Sequence, residues 1–240
     1  MLSFVIPAHN EEALIEPTLL ALRTAAERVG QRAELIVVDD ASTDRTAEVA
    51  RSLGAVVIPV NLRKISAVRN AGARSACGEV LIFVDADTVV SAETLTASLD
   101  ALRKGAVGGG ARVRMDGGVP LWAGALTALI TWSFYRLQLA AGCFLFARRD
   151  VFEAVGGFDE EYFASEEVHL SRSLKSRGRF VVVGEAVTTS SRKFRLFSAR
   201  KLLWQLLHLT LAGSSALKRR ETLGLWYGGQ REHGERRPET

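Results

Sequence analysis

Apolar positions in the first ninety residues follow two alternating spacings. Residues 2–6 form a short apolar β run closed by Pro7. Leu14, Ile15, Leu19, Leu22 and Val29 then recur at helical spacing, with Gly30 as a stop. Residues 34–39 (ELIVVD) are almost continuously apolar, the pattern of a strand covered on both faces. Ser42 or Thr43 is positioned to cap a helix running through Ser52 to Gly54. Residues 55–60 predict a third strand, 66–77 a helix and 79–84 (EVLIFV) a fourth strand. Repeated βαβ units of this kind predict an α/β fold with a parallel sheet and helices on both faces.

The second half is less regular. Ser91 predicts the cap of a helix to Lys104, and 107–115 a strand carrying Gly108, Gly109 and Gly110. An apolar helix is predicted over 121–139, a strand over 142–147 (GCFLFA), a helix over 165–176 and a strand over 180–183. From Phe194 the pattern is helical and amphipathic, and the tail after Gly228 is polar enough to predict disorder.

Composition narrows the class. The chain has 240 residues, 48% hydrophobic and 24% charged, enough to bury a core without disulfides or metal staples. Cys77 and Cys143 have neither C-x-x-C nor metal-ligand spacing, which predicts two reduced core residues in a reducing cytosol. Met1 leads straight into the first strand, without the basic and apolar regions of a signal peptide. The apolar stretch 119–134 falls short of the ~20 residues of a membrane span, and 202–217 is interrupted by Gln205, His208, Ser214 and Ser215. The net charge of +4 is concentrated near the C-terminus, in Arg192, Lys193, Arg195, Arg200, Lys201, Lys218, Arg219, Arg220, Arg236 and Arg237. Such an end fits nucleic acid, an anionic lipid or a phosphorylated substrate as readily as solvated helix faces.

The unusual polar residues fall where an open α/β sheet binds its ligands, beyond the carboxyl ends of the strands. Strand one ends in Pro7, Ala8, His9, Asn10, Glu11 and Glu12, strand two in Asp39 and Asp40, and strand four in Asp85, Ala86 and Asp87. Two carboxylates at i and i+2 repel unless a cation lies near, and hard oxygen donors suit Mn²⁺ or Mg²⁺. Arg69 and Asn70 lie in the helix before strand four, where a cation can face a diphosphate or solvent. Glu166 and Glu167 open a helix; they either favour its dipole or, near a cleft, raise one pKa to give a general base.

Four segments in order, FVIPAHNEE at 4–12, VVDDASTDRT at 37–46, AVRNAGARSACGEVLIFVDAD at 67–87 and the run from CFLFARRD to SLKSRG at 143–178, resemble the inverting glycosyltransferase family 2. The resemblance spans about residues 2–190. It implies the GT-A fold, a Rossmann-like, mostly parallel central sheet flanked by helices, here with a helical C-terminal extension. It divides the chain into a catalytic domain at 1–193 (a nucleotide-binding half at 1–90, an acceptor half at 91–193), an extension at 194–228 and a tail at 229–240. It implies transfer of a sugar from a UDP-, GDP- or dTDP-sugar to a hydroxyl acceptor, with Mn²⁺ or Mg²⁺. Pro7, Ala8, Asn10, Glu11, Asp40, Arg69, Asp85 and Ala86 are the implied nucleotide-sugar contacts. Asp87 with Asp85 would hold the metal, and Gly157, Phe158 and Asp159 belong to the implied acceptor-side loop. Glu167 stands at the base position, where the family more often has Asp, and Glu166 competes with it. His169 stands where an acid is frequent, and Lys64, Ile65 and Ser66 replace a glycine-rich approach. The segment TTSSRK at 188–193 is similar to a basic loop that closes over the diphosphate in some members.

A nucleotidyltransferase of related fold would need a Gly-rich loop after strand one, where this chain has PAHNEE. A non-catalytic nucleotide-sugar module would need no carboxylate base. Trp204, Leu207, Leu211, Trp226 and Tyr227 among basic residues suggest peripheral membrane contact through the C-terminal region, or packing on the catalytic domain. The expected setting is the cytoplasm, at the inner membrane face if the acceptor is a lipid, with no nucleic acid partner.

Overall fold

The computed structural model describes residues 1–117, 121–162 and 165–192; the C-terminal extension and tail expected from the sequence lie outside the described residues. In chain order the elements are β1 (Leu2–Ala8), α1 (Ile15–Arg28), β2 (Ala33–Asp40), α2 (Thr46–Ser52), β3 (Val56–Val60), α3 (Ile65–Ser75), β4 (Val80–Val84) and β5 (Thr88–Val89). They continue with α4 (Ala92–Arg103), β6 (Ala106–Met115), α5 (Leu121–Arg136), β7 (Phe144–Arg148), α6 (Arg149–Ala154), α7 (Glu166–Lys175) and β8 (Arg179–Thr189).

The strands form one sheet in the order β3-β2-β1-β4-β7-β6-β8-β5. All run in one direction except β7, antiparallel to β4 and β6, and β5, antiparallel to β8. The mostly parallel sheet expected from the βαβ spacing is therefore present. Side chains alternate across it, as the two-residue period of a strand requires. Phe4, Ile6, Ile82, Val84, Phe144 and Phe146 share a core with Leu19 and Leu22 of α1 and Leu95 and Leu99 of α4. Val5, Leu81, Phe83 and Leu145 share the opposite core with Val68 of α3, Phe152 of α6 and Leu170 and Leu174 of α7. Both faces are covered, which explains the nearly unbroken apolar runs.

Several boundaries differ from the sequence expectation. β1 does not stop at Pro7 but pairs with β2 through Ala8↔Asp39. Its ladder to β4 ends at Val5↔Phe83, so the missing N–H of Pro7 costs no bond to that neighbour. Neither Ser42 nor Thr43 caps α2. Their polar groups lace two strand ends together: Ser42 Oγ accepts from the Asn10 amide at 2.9 Å, and the Thr43 amide donates to Asn10 Oδ1 at 2.7 Å. The Ser91 cap is present, its Oγ accepting from the Thr94 amide at 3.2 Å. α6 has no counterpart in the expectation, and β8 is far longer than 180–183 because its second half pairs with β6 and β5. Cys77 is exposed rather than a core residue, and Cys143 is half-buried.

The triple glycine of β6 has a packing cause. A Cβ at Gly109 would lie 1.9 Å from the Val181 carbonyl oxygen, a backbone atom of the adjacent strand, and 2.5 Å from the Phe146 ring. Gly109→Ala is expected to lower unfolding stability by about 3 kcal/mol, the upper end of the overpacking range, as measured by urea denaturation.

Candidate active site

The carboxyl end of β4 is the origin of the site. Asp85 follows the last residue of the strand and donates its amide to the Cys143 carbonyl at 3.2 Å, while the Thr88 amide returns to the Asp85 carbonyl at 3.0 Å. This tight turn separates the side chains of Asp85 and Asp87. β5 begins one residue later and pairs Thr88 with Thr189 of β8. The pairing carries residues 189–192 alongside Asp87. Thr189 Oγ1 donates to Asp87 Oδ1 at 3.3 Å, and Arg192 Nη2 lies 3.9 Å from Asp87 Oδ2. Arg192 also donates both terminal nitrogens to the Glu11 carboxylate, at 3.0 and 2.9 Å. A planar bidentate pair of this kind fixes orientation as well as charge.

Arg69 sits behind the acids. On α3, with its side chain only 3% exposed, it donates to Glu166 Oε1 at 2.6 Å, Asp85 Oδ1 at 2.8 Å and the Gly142 carbonyl at 2.7 Å. Burial disfavours its charge, but Asp85, Glu166 and Glu167 outweigh that and hold the guanidinium above the ordinary arginine value. Phe158 stacks below it, 5.3 Å from the ring centroid. Gly142 lies beside both groups: a Cβ there would make ordinary contacts, 3.6 Å from Glu167 Cδ and 3.7 Å from Arg69 Nη2.

Asp85, Asp87 and Glu167 line one cavity of about 370 Å³. Gly142, Thr189, Ser190, Thr131, Tyr135 and Arg112 add polar groups to its lining. Val113, Met115, Phe134 and Leu139 form an apolar wall. Burial raises the Glu167 carboxyl to about 8, and the Glu166 charge beside it adds to the effect. Burial also raises Glu166, with Arg69 opposing. The two titrate as a pair. Because Arg69 bonds Glu166 directly, the proton retained near neutrality belongs to Glu167.

The expected residues separate into two groups. Asp85, Asp87 and Glu167 come together in the cavity, with Arg69 and Glu166 buried directly behind and Glu11 joined to its rim through Arg192. The others do not line it. Pro7 and Ala8 are buried in β1. Ala86 is buried, and its carbonyl accepts from Thr18 Oγ1 at 2.9 Å. Asn10, at φ 52°, spends its side chain on Thr43. Asp40 accepts the backbone N–H groups of Leu62 and Arg63 at 2.7 and 2.9 Å, so its carboxylate organises the loop after β3.

The loop carrying Gly157, Phe158 and Asp159 borders a separate cavity of about 700 Å³ that shares no lining residue with the first. Asn70 holds it there, donating to the Phe158 carbonyl and accepting the Phe158 amide, both at 2.9 Å. Phe158 then packs edge-on against Phe83, centroids 4.9 Å apart. His169, which stands where an acid is frequent in the family the chain resembles, stacks on Tyr162 and borders that second cavity. Sequence reasoning missed Gly142 and Tyr135. A glycine before a strand is a faint signal, and a Tyr in an apolar helix gives none.

Asp85 and Asp87 with the hydroxyl of Thr189 form a hard-oxygen donor set of the kind Mg²⁺ and Mn²⁺ take alongside substrate phosphates and water. No group of three or more His, Cys, Asp or Glu side chains with metal-binding placement occurs among the described residues. These residues fit a cation that draws its remaining ligands from a diphosphate, not a closed protein cage.

This is an α/β sheet with carboxylates gathered at its switch of strand direction, and comparison with known proteins agrees with it. Residues 3–156 match the model for glycosyl transferase family 2, and the chain belongs to that family. It is 28% identical over 168 residues to a dolichol-phosphate mannosyltransferase of Pyrococcus furiosus, covering 65% of this chain and 44% of that one. It is 30% identical over 166 residues to an undecaprenyl-phosphate 4-deoxy-4-formamido-L-arabinose transferase of Pseudomonas aeruginosa, covering 65% and 49%. The chain thus spans about half the length of these curated relatives. The fold is shared with a mannosyltransferase of Pyrobaculum calidifontis solved with GDP-Man and Mn²⁺, at TM-score 0.64 and 20% identity, over 85% of this chain and 59% of that one.

Arg69→Met leaves Glu166 buried without its cation and is expected to cost about 3–5 kcal/mol of stability, measured by chemical denaturation. A second expectation follows from Glu167. The folded protein retains a proton up to about pH 8, whereas the unfolded carboxyl releases it near 4.5. Between those values the native state binds more protons, so stability falls as pH rises. Thermal melts in EDTA across pH 5–9 should show that fall in the wild type and a shallower one in Glu167→Gln.

Proposed function

We propose that this chain transfers a sugar from a nucleoside diphosphate sugar to a hydroxyl acceptor, with inversion at the anomeric carbon. The observation that carries the reading is the convergence of Asp85, Asp87 and Glu167 on one cavity, with the Arg69–Glu166 pair fixing the geometry from behind. Asp87, with Asp85, would hold a divalent cation, which offsets charge on the departing diphosphate. Arg192, held by Glu11 at the rim, is the protein cation nearest Asp87 in the described site and faces the same leaving group.

In its deprotonated form, whose share grows as pH rises toward about 8, Glu167 accepts the proton of the acceptor hydroxyl while that oxygen attacks the anomeric carbon. The bond from the anomeric carbon to the diphosphate oxygen breaks in the same step, and the nucleoside diphosphate leaves with the electron pair. Glu166 is bound to Arg69 and 4% exposed, which favours Glu167 as the base of the two. The apolar wall opposite the acids suits an acceptor whose hydroxyl is carried on an apolar portion; the polyprenyl-phosphate names of the relatives share that apolar portion and not the hydroxyl. Such an acceptor would place the reaction at the cytoplasmic face of a membrane.

A thermal-shift screen of UDP-, GDP- and dTDP-sugars with and without Mn²⁺ is expected to give a Mn²⁺-dependent rise in Tm with one base. Glu167→Gln is expected to keep that shift and to lower kcat by about 10²–10⁴-fold. A variant with unchanged kcat would transfer the base assignment to Glu166.

A further inference from the structure

Among the described side chains of α5, the exposed ones ahead of Arg136 are apolar or aromatic, and the turn after the helix adds one more. Leu129 is 59% exposed, Trp132 60% and Leu137 62%. At 100° per residue, Leu129 and Trp132 lie 60° apart on one side of the helix. Thr131, Phe134 and Tyr135 face the acid-lined cavity. One turn of α5 therefore separates the catalytic cavity from an apolar outer surface. A soluble helix reverses this arrangement, with polar residues outward.

The segment that carries this face has charge of one sign. No acidic residue occurs between Asp116 and Asp150. Arg136 closes α5 and is exposed, as are Arg112 and Arg114 on neighbouring β6. The Arg112 guanidinium lies 5.8 Å from the Tyr135 ring centroid, and Lys175 Nζ donates to the Leu137 carbonyl at 2.6 Å. Apolar side chains rimmed by cations match the chemistry of a bilayer interface with anionic headgroups. The apolar part of the chain outside the described residues is a poorer match, because it carries Lys193, Arg195, Arg200, Lys201, Lys218, Arg219 and Arg220 against a single acid, Glu221. It would bring more positive charge to a positive rim. At 16 residues α5 is too short to span, and no described helix is long and apolar enough to cross a membrane.

We propose that α5 docks in the interface of an anionic bilayer through Leu129 and Trp132, with Leu137 just beyond its C-terminal end, and so opens the acid-lined cavity toward a lipid acceptor held in that bilayer. This rests on the proposed function and adds to it the surface from which the acceptor comes. The contact lies on a helix within the catalytic fold, while the one expected in the C-terminal region lies outside the described residues.

The test uses the full chain with Trp122, Trp204 and Trp226 replaced by Phe, leaving Trp132 as the single fluorophore. Vesicles of phosphatidylcholine with 30% phosphatidylglycerol, with and without brominated acyl chains, are added at low salt. Trp132 emission is expected to shift to the blue and to be quenched by the brominated lipid, with much weaker effects on pure phosphatidylcholine. Leu129→Ser/Trp132→Ser in the otherwise native chain should weaken flotation with the anionic vesicles roughly tenfold or more. Its Tm and its nucleotide-sugar thermal shift should match the wild type.

Three results would overturn the proposal. One is vesicle binding without quenching of Trp132, which assigns the contact to another segment. Another is emission already blue in buffer and indifferent to lipid, which means that a segment of this chain or a second copy covers the face. The third is the absence of binding. A failed vesicle result with an intact nucleotide-sugar shift removes this inference alone, whereas a missing nucleotide-sugar shift removes the functional reading whatever the vesicles show.

Discussion

A single buried cation sets the geometry on which the site depends. Arg69 comes from α3, Asp85 from the end of β4, Gly142 from the approach to β7 and Glu166 from the start of α7, and one guanidinium joins them within 2.6–2.8 Å. Its five donors in a rigid plane suit this task, which the point charge of a lysine would not perform. Desolvating such a group is costly, and the cost is offset only because carboxylates surround it. Burial first, and then the charge of Glu166 beside it, raise the Glu167 carboxyl. The Arg69 network both holds the site together and sets its acid–base character.

The halves of the chain were legible to different degrees. The βαβ spacing of residues 2–84 predicted the parallel sheet because strands covered on both faces leave an unambiguous apolar run. The acids at 85–87 and 166–167 were legible as residues, and their order along the chain carried the family resemblance. Their partners were not. Nothing local links Thr189 to Asp87 or Arg192 to Glu11; β5, two residues long, makes both contacts by pairing with β8. Asp40 and Ala86 illustrate the converse. Residue type and place in the motif suggested ligand contacts, but backbone groups claim the Asp40 carboxylate and the Ala86 side chain turns into the core. Which face a side chain takes within a tight turn depends on hydrogen bonds formed by distant segments.

The acceptor-side loop shows the same limit from another direction. Gly157 adopts φ 76° and packs its Cα side against Asn70. That contact draws Phe158 under Arg69 and away from the acid-lined cavity. Asn70 thus supports the site by keeping an aromatic ring beneath the buried cation, a role no motif announces. The apolar wall of the cavity comes instead from α5 and β6, in the part of the sequence with the weakest secondary-structure signal.

The most direct measurement is a crystal structure of the Glu167→Gln protein with its nucleotide sugar and Mn²⁺, collected at a wavelength where manganese scatters anomalously. The account predicts one strong anomalous peak within coordinating distance of the Asp87 carboxylate. It also predicts that the residue-167 side chain faces the anomeric carbon from the side opposite the diphosphate. Manganese bound away from Asp85 and Asp87, or a sugar placed outside the cavity that Glu167 lines, would contradict it.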